Sequence, residues 1–262
     1  MSGAPPAVDY PFSVPAVASL ARAPLTFQGP VTFLVGENGA GKSAILEGVA
    51  CAADSVAIAG EDVRRDPTLQ AARALGKQLK LSWSARTRQG FFLRAEDFFG
   101  YAKYISALKS DLQRDLEAFE AAPGAESYGG RMARGVFQRE IGELHRIDQT
   151  VNATSHGESF LELFQRRMKP GGLYILDEPE APLSPVRQLA LLAVMQGMVE
   201  EGDCQFLIAT HSPILMAYPG ATIYLIDDGV LRSVKWEDLE HVRVTRDFLN
   251  DPATYLRYLS SD

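Results

Sequence analysis

The sequence predicts an α/β domain around a mostly parallel β-sheet, with an N-terminal β region and an inserted helical subdomain. One observation is the strand 31–35, which runs directly into a glycine-rich loop and a helix with amphipathic spacing. Another is the alternation of short apolar strands and helices after residue 152, which is typical of parallel sheets covered on both faces. With 262 residues, 46% of them hydrophobic, the chain has ample material for a large core.

The elements of the first half follow in order. Residues 1–25 are interrupted by prolines and predict only short strands. Strand 31–35 precedes the glycine loop, and a helix is expected over residues 43–56. Segments 79–85 and 90–95 have strand composition.

A change of pattern marks residues 99–151 as a helical insert. Apolar residues recur at spacings of three and four on either side of the breaking segment PGAESYGG. The predicted α/β core is therefore made of residues 1–98 and 152–262.

The second half alternates helix and strand. The predicted elements are helix 158–168, strand 173–177, helix 185–200, strand 204–210, a short helix from Pro213 and strand 221–227. A turn at DDGVL then leads to a short strand and a C-terminal helix. We find no internal repeat and no low-complexity tract.

Charge and apolar content limit the classes of function. A net charge of −7 argues against a generally basic surface that coats nucleic acid. Cys51 and Cys204 lie far apart in apolar contexts, so we expect two small buried side chains in a reducing cytoplasm. No basic cluster precedes an apolar run at the N-terminus, and no run approaches the ~18 residues of a membrane span. We expect a cytoplasmic protein without direct membrane insertion.

The glycine loop fits the phosphate-binding pattern G-x-x-x-x-G-K-[ST]. Its residues are Gly36, Glu37, Asn38, Gly39, Ala40, Gly41, Lys42 and Ser43. Glycines let backbone N–H groups surround a polyphosphate, and the following helix directs its positive dipole end at the same anion. Lys42 is expected to reach the β- and γ-phosphates, and the Ser43 hydroxyl to ligate Mg²⁺. A chance glycine turn would not need the strand before it and the helix after it.

Two adjacent carboxylates end the predicted strand LYILD. Strand alternation sends neighbouring side chains in different directions, so the two acids can take different roles. Asp177 would hold the Mg²⁺ shell, and Glu178 would act as general base toward the attacking water. The alternative is an ordinary strand end followed by a turn.

His211 follows the predicted strand 204–210 and should lie at the carboxyl edge of the sheet, where α/β folds bind ligands. We predict that it donates to the γ-phosphate or the water; a structural turn contact is the alternative. Ser184 and Ser212, each followed by proline, fit helix N-caps.

Together, GENGAGKS, LYILDEPE and IATHSPIL resemble the ATP-binding-cassette (ABC) class of P-loop NTPases, particularly its soluble SMC-like and RecF-like relatives. The likeness covers nearly the whole chain, and YPFSVPA and TRDFLNDPATYLRYL at its ends resemble a family of soluble, AAA-type predicted ATPases. It implies an ABC-type fold that binds ATP with Mg²⁺ and hydrolyses it.

TSHGESF, residues 154–160, resembles the ABC signature motif, whose usual form is Ser-Gly-Gly-Gln. The resemblance implies that Ser155, Gly157 and Glu158 of one protomer cap the nucleotide held by the phosphate loop of the other. Two ATP molecules would then join a head-to-tail homodimer. His156 and Glu158 depart from the usual glycine and glutamine.

Three further positions of the class have no direct match. Ser184 stands where the loop after the catalytic acid usually ends in aspartate. Gln89 and Glu96 are both candidates for the glutamine that joins the Mg²⁺ shell. Tyr10 or Phe12 is a candidate for the aromatic that stacks on adenine, with core packing as the alternative.

Three functions fit these motifs. The first is an ATP-gated dimer that acts on a macromolecular partner, with DNA maintenance or defence as candidate settings. The second is the ATP-binding subunit of an ABC membrane transporter. The third, a small-molecule kinase, is disfavoured because the Asp-Glu pair and the histidine suit water activation.

Overall fold

The fold is organised by one six-stranded sheet in the order β2-β3-β4-β1-β5-β6. The computed structural model describes residues 9–58, 66–94, 97–121, 127–153 and 156–257. The strands are β1 Val31–Gly36, β2 Gly90–Leu93, β3 Leu173–Asp177, β4 Gln205–Ala209, β5 Thr222–Asp227 and β6 Val230–Val234. The first five pair in parallel, and β6 returns antiparallel to β5. The mostly parallel α/β fold is therefore confirmed.

Ten α-helices accompany these strands in the described part of the chain. They are α1 Pro15–Leu20, α2 Lys42–Ala52, α3 Gln70–Gly76, α4 Asp97–Glu120, α5 Tyr128–Ala153, α6 His156–Arg167, α7 Pro185–Glu201, α8 Pro213–Met216, α9 Glu240–Asn250 and α10 Pro252–Leu256. None of the helices in these ranges combines the length and the apolarity that a bilayer crossing requires.

Both faces of the sheet are buried, and strand alternation divides the core into two layers. On β1, Phe33 points into a layer covered by α6, α7 and α9, whereas Leu34 points into a layer covered by α1, α2 and α3. Phe164 of α6 meets Phe91 of β2 edge to face, with ring centroids 5.4 Å apart. The sheet is thus the middle of a three-layer structure.

Parallel pairing brings the carboxyl ends of three strands to one edge. Ala209 of β4 is level with Leu34 of β1 on one side and with Asp177 of β3 on the other. The phosphate loop, Glu178 and His211 follow these ends, and Asp177 is itself the last residue of β3. Ligands bind at this edge in open α/β sheets.

The prediction of an N-terminal β region is wrong for the described residues 9–30, because they contain helix α1 and no strand. Pro15 occupies the first helical turn, and Ala16 and Val17 are buried against the second layer. The expected strand 79–85 is also absent from the described structure, because Leu79 packs against the second layer instead of pairing in the sheet. Tertiary packing overrides local strand composition in both segments.

Helices α4 and α5 occupy the region of the predicted helical insert, and they pack against each other. Arg134 Nε lies 3.0 Å from Glu120 Oε1, and the rings of Phe119 and Phe137 are 5.8 Å apart. The predicted break PGAESYGG covers residues 123–130. Residues 123–126 lie outside the described ranges, whereas residues 128–130 already belong to α5, so the break is shorter than predicted. The subdomain boundary at 99–151 stays a prediction.

The two cysteines are free thiols that differ in burial. Cys204 is 2% exposed, as expected. Cys51 is only half-buried, and that burial raises the pKa of its thiol to about 11.

Replacing Gly90 tests the junction between β2 and β3. Gly90 has φ +112°, and a Cβ there would lie 1.9 Å from the carbonyl oxygen of Leu173. We expect Gly90→Ala to reduce the free energy of unfolding by about 2–4 kcal/mol, through strain and loss of the edge strand. Urea unfolding followed by tryptophan fluorescence measures it.

The matched control is Gly197→Ala in α7, where a Cβ meets nothing within 4 Å. This helix substitution should be neutral or stabilising by about 0.5–1 kcal/mol. Equal unfolding midpoints for the two variants would contradict the close approach of β2 and β3.

Candidate nucleotide site

The phosphate loop connects β1 to α2 in a conformation that depends on glycine. Gly41 is the N-cap of α2 and has φ +103°. A Cβ at this position would lie 2.7 Å from Val14 of the N-terminal segment. The loop therefore closes under α1, and the first turn of α2 presents its free N–H groups at the edge of the sheet.

Lys42 is buried inside this loop, with only 5% of its surface exposed. Its Nζ donates to the carbonyl oxygens of Gly36 and Glu37, at 2.8 and 3.0 Å, and lies 2.8 Å from His211 Nε2. Burial lowers the pKa of Lys42, and the neighbouring carboxylates of Glu178 and Asp177 oppose that shift. The result is a cation held in place before an anion arrives.

Asp177 is the last residue of β3 and is 6% exposed. Burial raises the pKa of its carboxyl to about 6, although a hydrogen bond with Ser43 opposes the shift. Its Oδ1 is buried without a hydrogen-bond partner. A buried, unpaired carboxylate oxygen beside a hydroxyl suits a hard cation.

Asp177 and Ser43 therefore fit Mg²⁺. No group of three or more His, Cys, Asp or Glu side chains suited to a metal occurs in the described parts of the chain. A magnesium site here would use Asp177, Ser43 and phosphate oxygens, which is how Mg²⁺ is usually bound with nucleotides.

Glu178 and His211 stand on the open side of this edge, with side chains 39% and 40% exposed. Glu178 has φ +48°, and its N–H donates to the carbonyl of Ala209 at 2.9 Å. Its Oε1 is 3.8 Å from Nε2 of His211, the same nitrogen that contacts Lys42. Lys42, His211 and Glu178 thus form a row, from the bottom of the loop to solvent.

Comparison with known proteins gives several matches. The family model described as "AAA domain, putative AbiEii toxin, Type IV TA system" matches residues 160–217. The hemin import ATP-binding protein HmuV of Methylobacillus flagellatus is 27% identical over 217 residues, covering 79% of this chain and 73% of that protein. HmuV of Burkholderia lata is 27% identical over 233 residues, covering 78% and 76%. Together with the motifs at the sheet edge, these matches support an ABC-type P-loop ATPase.

Two solved structures are also similar to this chain. UvrA2 from Deinococcus radiodurans has a TM-score of 0.30 at 19% identity, with 56% of this chain and 21% of that chain covered. An Smc head domain from Pyrococcus furiosus has a TM-score of 0.35 at 10% identity, with 86% and 94% covered. The assignment rests on the curated relatives and on the motifs at the sheet edge.

Within the described residues, the structure does not bring the other predicted site residues together with the phosphate loop. Ser155 lies outside the described residues, whereas Gly157 and Glu158 belong to the first turn of α6, which packs on α5 and α7. Gln89 precedes β2, and its carbonyl accepts from Leu173 N–H at the amino end of the sheet. Gln89 is therefore at the wrong edge for the Mg²⁺ shell, and Glu96 lies outside the described residues.

The aromatic candidates and the predicted caps also differ from one another. Tyr10 is 58% exposed, and Phe12 packs against the second core layer, which was the alternative interpretation. Ser212 caps α8 by accepting from Ile214 and Leu215 N–H. Ser184 occupies the N-cap of α7 without a side-chain hydrogen bond.

The sequence reasoning missed two residues of the site. Glu180, the second glutamate of DEPE, accepts hydrogen bonds from the turn that carries His211. His241 of α9 lines a cavity of about 1090 Å³ together with the phosphate loop. The spacing of Glu180 from Asp177 was a signal for the first, but no local pattern indicates His241.

His241 brings α9 to the edge of the sheet that carries the phosphate loop. Its Nε2 is buried without a hydrogen-bond partner. Burial lowers the pKa of its imidazole, and the nearby His211 and Lys42 lower it further. A neutral imidazole beside the loop can either donate or accept a hydrogen bond.

The raised pKa of Asp177 predicts a pH-dependent cost to stability. A carboxyl whose folded pKa is about 6 rather than 3.8 contributes stability below pH 3.8 that is lost as the pH rises through 6. Without nucleotide or divalent cations, we expect Asp177→Asn to raise the free energy of unfolding at pH 7.5 by about 2–3 kcal/mol. The gain should shrink toward pH 4.5.

Denaturant unfolding at several pH values measures this gain. Asp228→Asn is the matched control, since Asp228 is exposed in a turn with φ +47°, a conformation that asparagine tolerates. A gain for Asp177→Asn that does not change with pH would contradict the buried charge as its cause.

Proposed function

We propose that this ATPase binds Mg²⁺–ATP on Lys42 and Asp177 and hydrolyses it with Glu178 as general base, in a composite site shared by two protomers. The observation that carries the proposal is the row Lys42–His211–Glu178, beside the unpaired Asp177 oxygen. A buried cation, an unpaired carboxylate and a solvent-accessible base at one sheet edge suit phosphoryl transfer to water.

The phosphate loop would hold the polyphosphate. Backbone N–H groups of residues 36–43 and the start of α2 would bind phosphate oxygens, and Lys42 would exchange its carbonyl contacts for the β- and γ-phosphates. Ser43 and Asp177 would hold Mg²⁺, which would supply positive charge to offset the negative charge of the phosphates. The partial exposure of Glu178 leaves room for a water.

Glu178 would then take a proton as water attacks the γ-phosphorus. The bond between the γ-phosphorus and the bridging oxygen breaks, and ADP and phosphate leave. His211 would hydrogen-bond the γ-phosphate or the water through Nε2. The same nitrogen lies between Lys42 and Glu178. Reaction on a water molecule distinguishes this scheme from that of a small-molecule kinase.

The site would be completed by a second copy of the chain. Support comes from the 39% and 40% exposure of Glu178 and His211, which leaves the γ-phosphate side open in one protomer. Gly157 and Glu158, in the first turn of α6, would close that side from the partner together with Ser155. A helix start offers N–H donors and a favourable dipole to an anion.

ATP binding would therefore drive dimerisation, and hydrolysis would separate the dimer. The two states would form a switch that acts on a macromolecular partner. Duplex DNA is one candidate, for a role in DNA maintenance or defence in the cytoplasm. The insert at 99–151 is too short for the long coiled-coil arm of SMC proteins. A DNA partner requires affinity that falls steeply as salt rises, and affinity that ignores ionic strength would exclude it.

A second candidate is the ATP-binding subunit of a membrane transporter. The HmuV relatives, which are named as import ATP-binding proteins, favour it at 27–28% identity. The paired helices α4 and α5 would then contact an integral membrane partner. Fractionation separates the two candidates, because recovery of the native protein in membranes with such a partner supports this one alone.

Lys42→Ala tests the phosphate loop. Loss of charge-assisted hydrogen bonds to two phosphates should weaken ATP binding at least about 100-fold. Isothermal titration with a non-hydrolysable analogue measures the affinity. Lys77→Ala is the control, because Lys77 is an exposed lysine that follows α3. Tight binding by Lys42→Ala would contradict the loop assignment.

Glu178→Gln tests the base and the dimer together. Turnover should fall by about 10²- to 10⁴-fold while ATP stays bound, since the amide cannot take the proton. Sedimentation with saturating Mg²⁺–ATP should detect a dimer. Glu200→Gln is the control, because Glu200 is an exposed glutamate on α7. Unchanged hydrolysis would remove Glu178 from its role, and a persistent monomer would exclude the composite site.

A further inference from the structure

Glu180 is held by the turn that follows β4, and the proposed chemistry does not use it. Its Oε1 accepts three hydrogen bonds, from Thr210 Oγ1 at 2.6 Å, His211 N–H at 2.7 Å and Ser212 N–H at 3.1 Å. Hydrogen bonds to an ionised acceptor are the strong ones in proteins. One carboxylate oxygen therefore holds three consecutive residues.

The same turn is braced from its other side. Ser212 Oγ donates to Gln188 Oε1 at 2.5 Å, and Gln188 Nε2 donates to the Leu183 carbonyl at 3.1 Å. Thr210 is fully buried and Ser212 is 6% exposed. The backbone around His211 is thus fixed by side chains from the DEPE segment and from α7.

This backbone anchor sets where the imidazole of His211 can reach. With its N–H held by Glu180, the ring lies 2.8 Å from Lys42 Nζ and 3.8 Å from Glu178 Oε1. No regular element carries His211, since β4 ends at Ala209 and α8 begins at Pro213. Without the carboxylate, His211 N–H would lose its acceptor, and Ser212 N–H would keep only Thr210 Oγ1, at 2.9 Å. The turn could then take other conformations.

We propose that Glu180 is a positioning residue of the ATPase reaction: it fixes the Thr210–Ser212 turn so that His211 lies between Lys42 and Glu178. The inference rests on the proposed role of His211 in hydrolysis. Glu180 differs from Glu178 because its Oε1 is occupied by three donors and its Oε2 is buried. Neither oxygen is available to an attacking water, so Glu180 acts through His211.

The test compares steady-state ATP hydrolysis by the full chain and three Glu180 and His211 variants. Glu180→Ala should lower kcat by about 10- to 100-fold, because a displaced catalytic group costs rate, and leave KM for ATP within about twofold. Glu180→Gln keeps an oxygen acceptor of the same reach and should recover much of that loss. His211→Ala should be impaired at least as much as Glu180→Ala.

A double-mutant cycle gives the decisive readout. If Glu180 works through His211, the Glu180→Ala/His211→Ala protein should be no slower than His211→Ala alone. Losses that multiply would overturn the positioning role. So would Glu180→Gln as inactive as Glu178→Gln, which would indicate a direct chemical role for Glu180.

The two proposals fail in different ways. An active Glu180→Ala beside an impaired His211→Ala overturns only the positioning role, whereas an active His211→Ala overturns the role of His211 as well. Glu200→Ala, the same change on an exposed glutamate of α7, is the control.

Thr210→Val keeps the test decisive if Glu180→Ala does not fold. This variant removes one of the three donors and should lower kcat by about 3- to 10-fold at an unchanged KM. Wild-type kcat in Thr210→Val would overturn the positioning role in that case.

Discussion

The parallel pairing of β4 between β1 and β3 is the constraint on which the rest of the structure depends. One row of residues, Leu34, Ala209 and Asp177, crosses the three strands at the same level. The phosphate loop, the paired acids and His211 each leave the sheet within a few residues of that row. If β3 slipped by one residue, Asp177 would turn to the other face of the sheet. The side chains that β3 gives to the two core layers would then be exchanged. Burial of both layers therefore also holds the site in register.

This register concentrates charge where little water remains. Lys42 and Asp177 are almost fully buried. Burial lowers the pKa of Lys42 and raises that of Asp177, so it favours the neutral form of each. The lysine is stabilised by carbonyls and acids around it, while one oxygen of Asp177 has no partner. A site prepared for a polyphosphate and a cation is an unfavourable environment for its own side chains. That cost to the stability of the empty protein is what binding can recover.

His211 connects the elements of the site, and its own support is distant in sequence. Its ring contacts Lys42 and Glu178, and its backbone is held by Glu180. Motion of this short turn would therefore change the contacts of the ring with both Lys42 and Glu178. His241 brings α9 to the same edge.

The sequence by itself determined the phosphate loop, β3, β4 and the helices that follow them, because each depends on local spacing. The spacings are glycines before a lysine, four apolar residues before an acid, and a serine-proline pair at the start of α7 and of α8. It was wrong where packing decides, in the N-terminal helix α1 and the unpaired segment 79–85. Only the tertiary structure excluded Gln89, which precedes β2 at the opposite edge, and brought Glu180 and His241 to the site. These contacts join residues 30 or more positions apart. Strand order and helix packing set such distances, and no local pattern carries them.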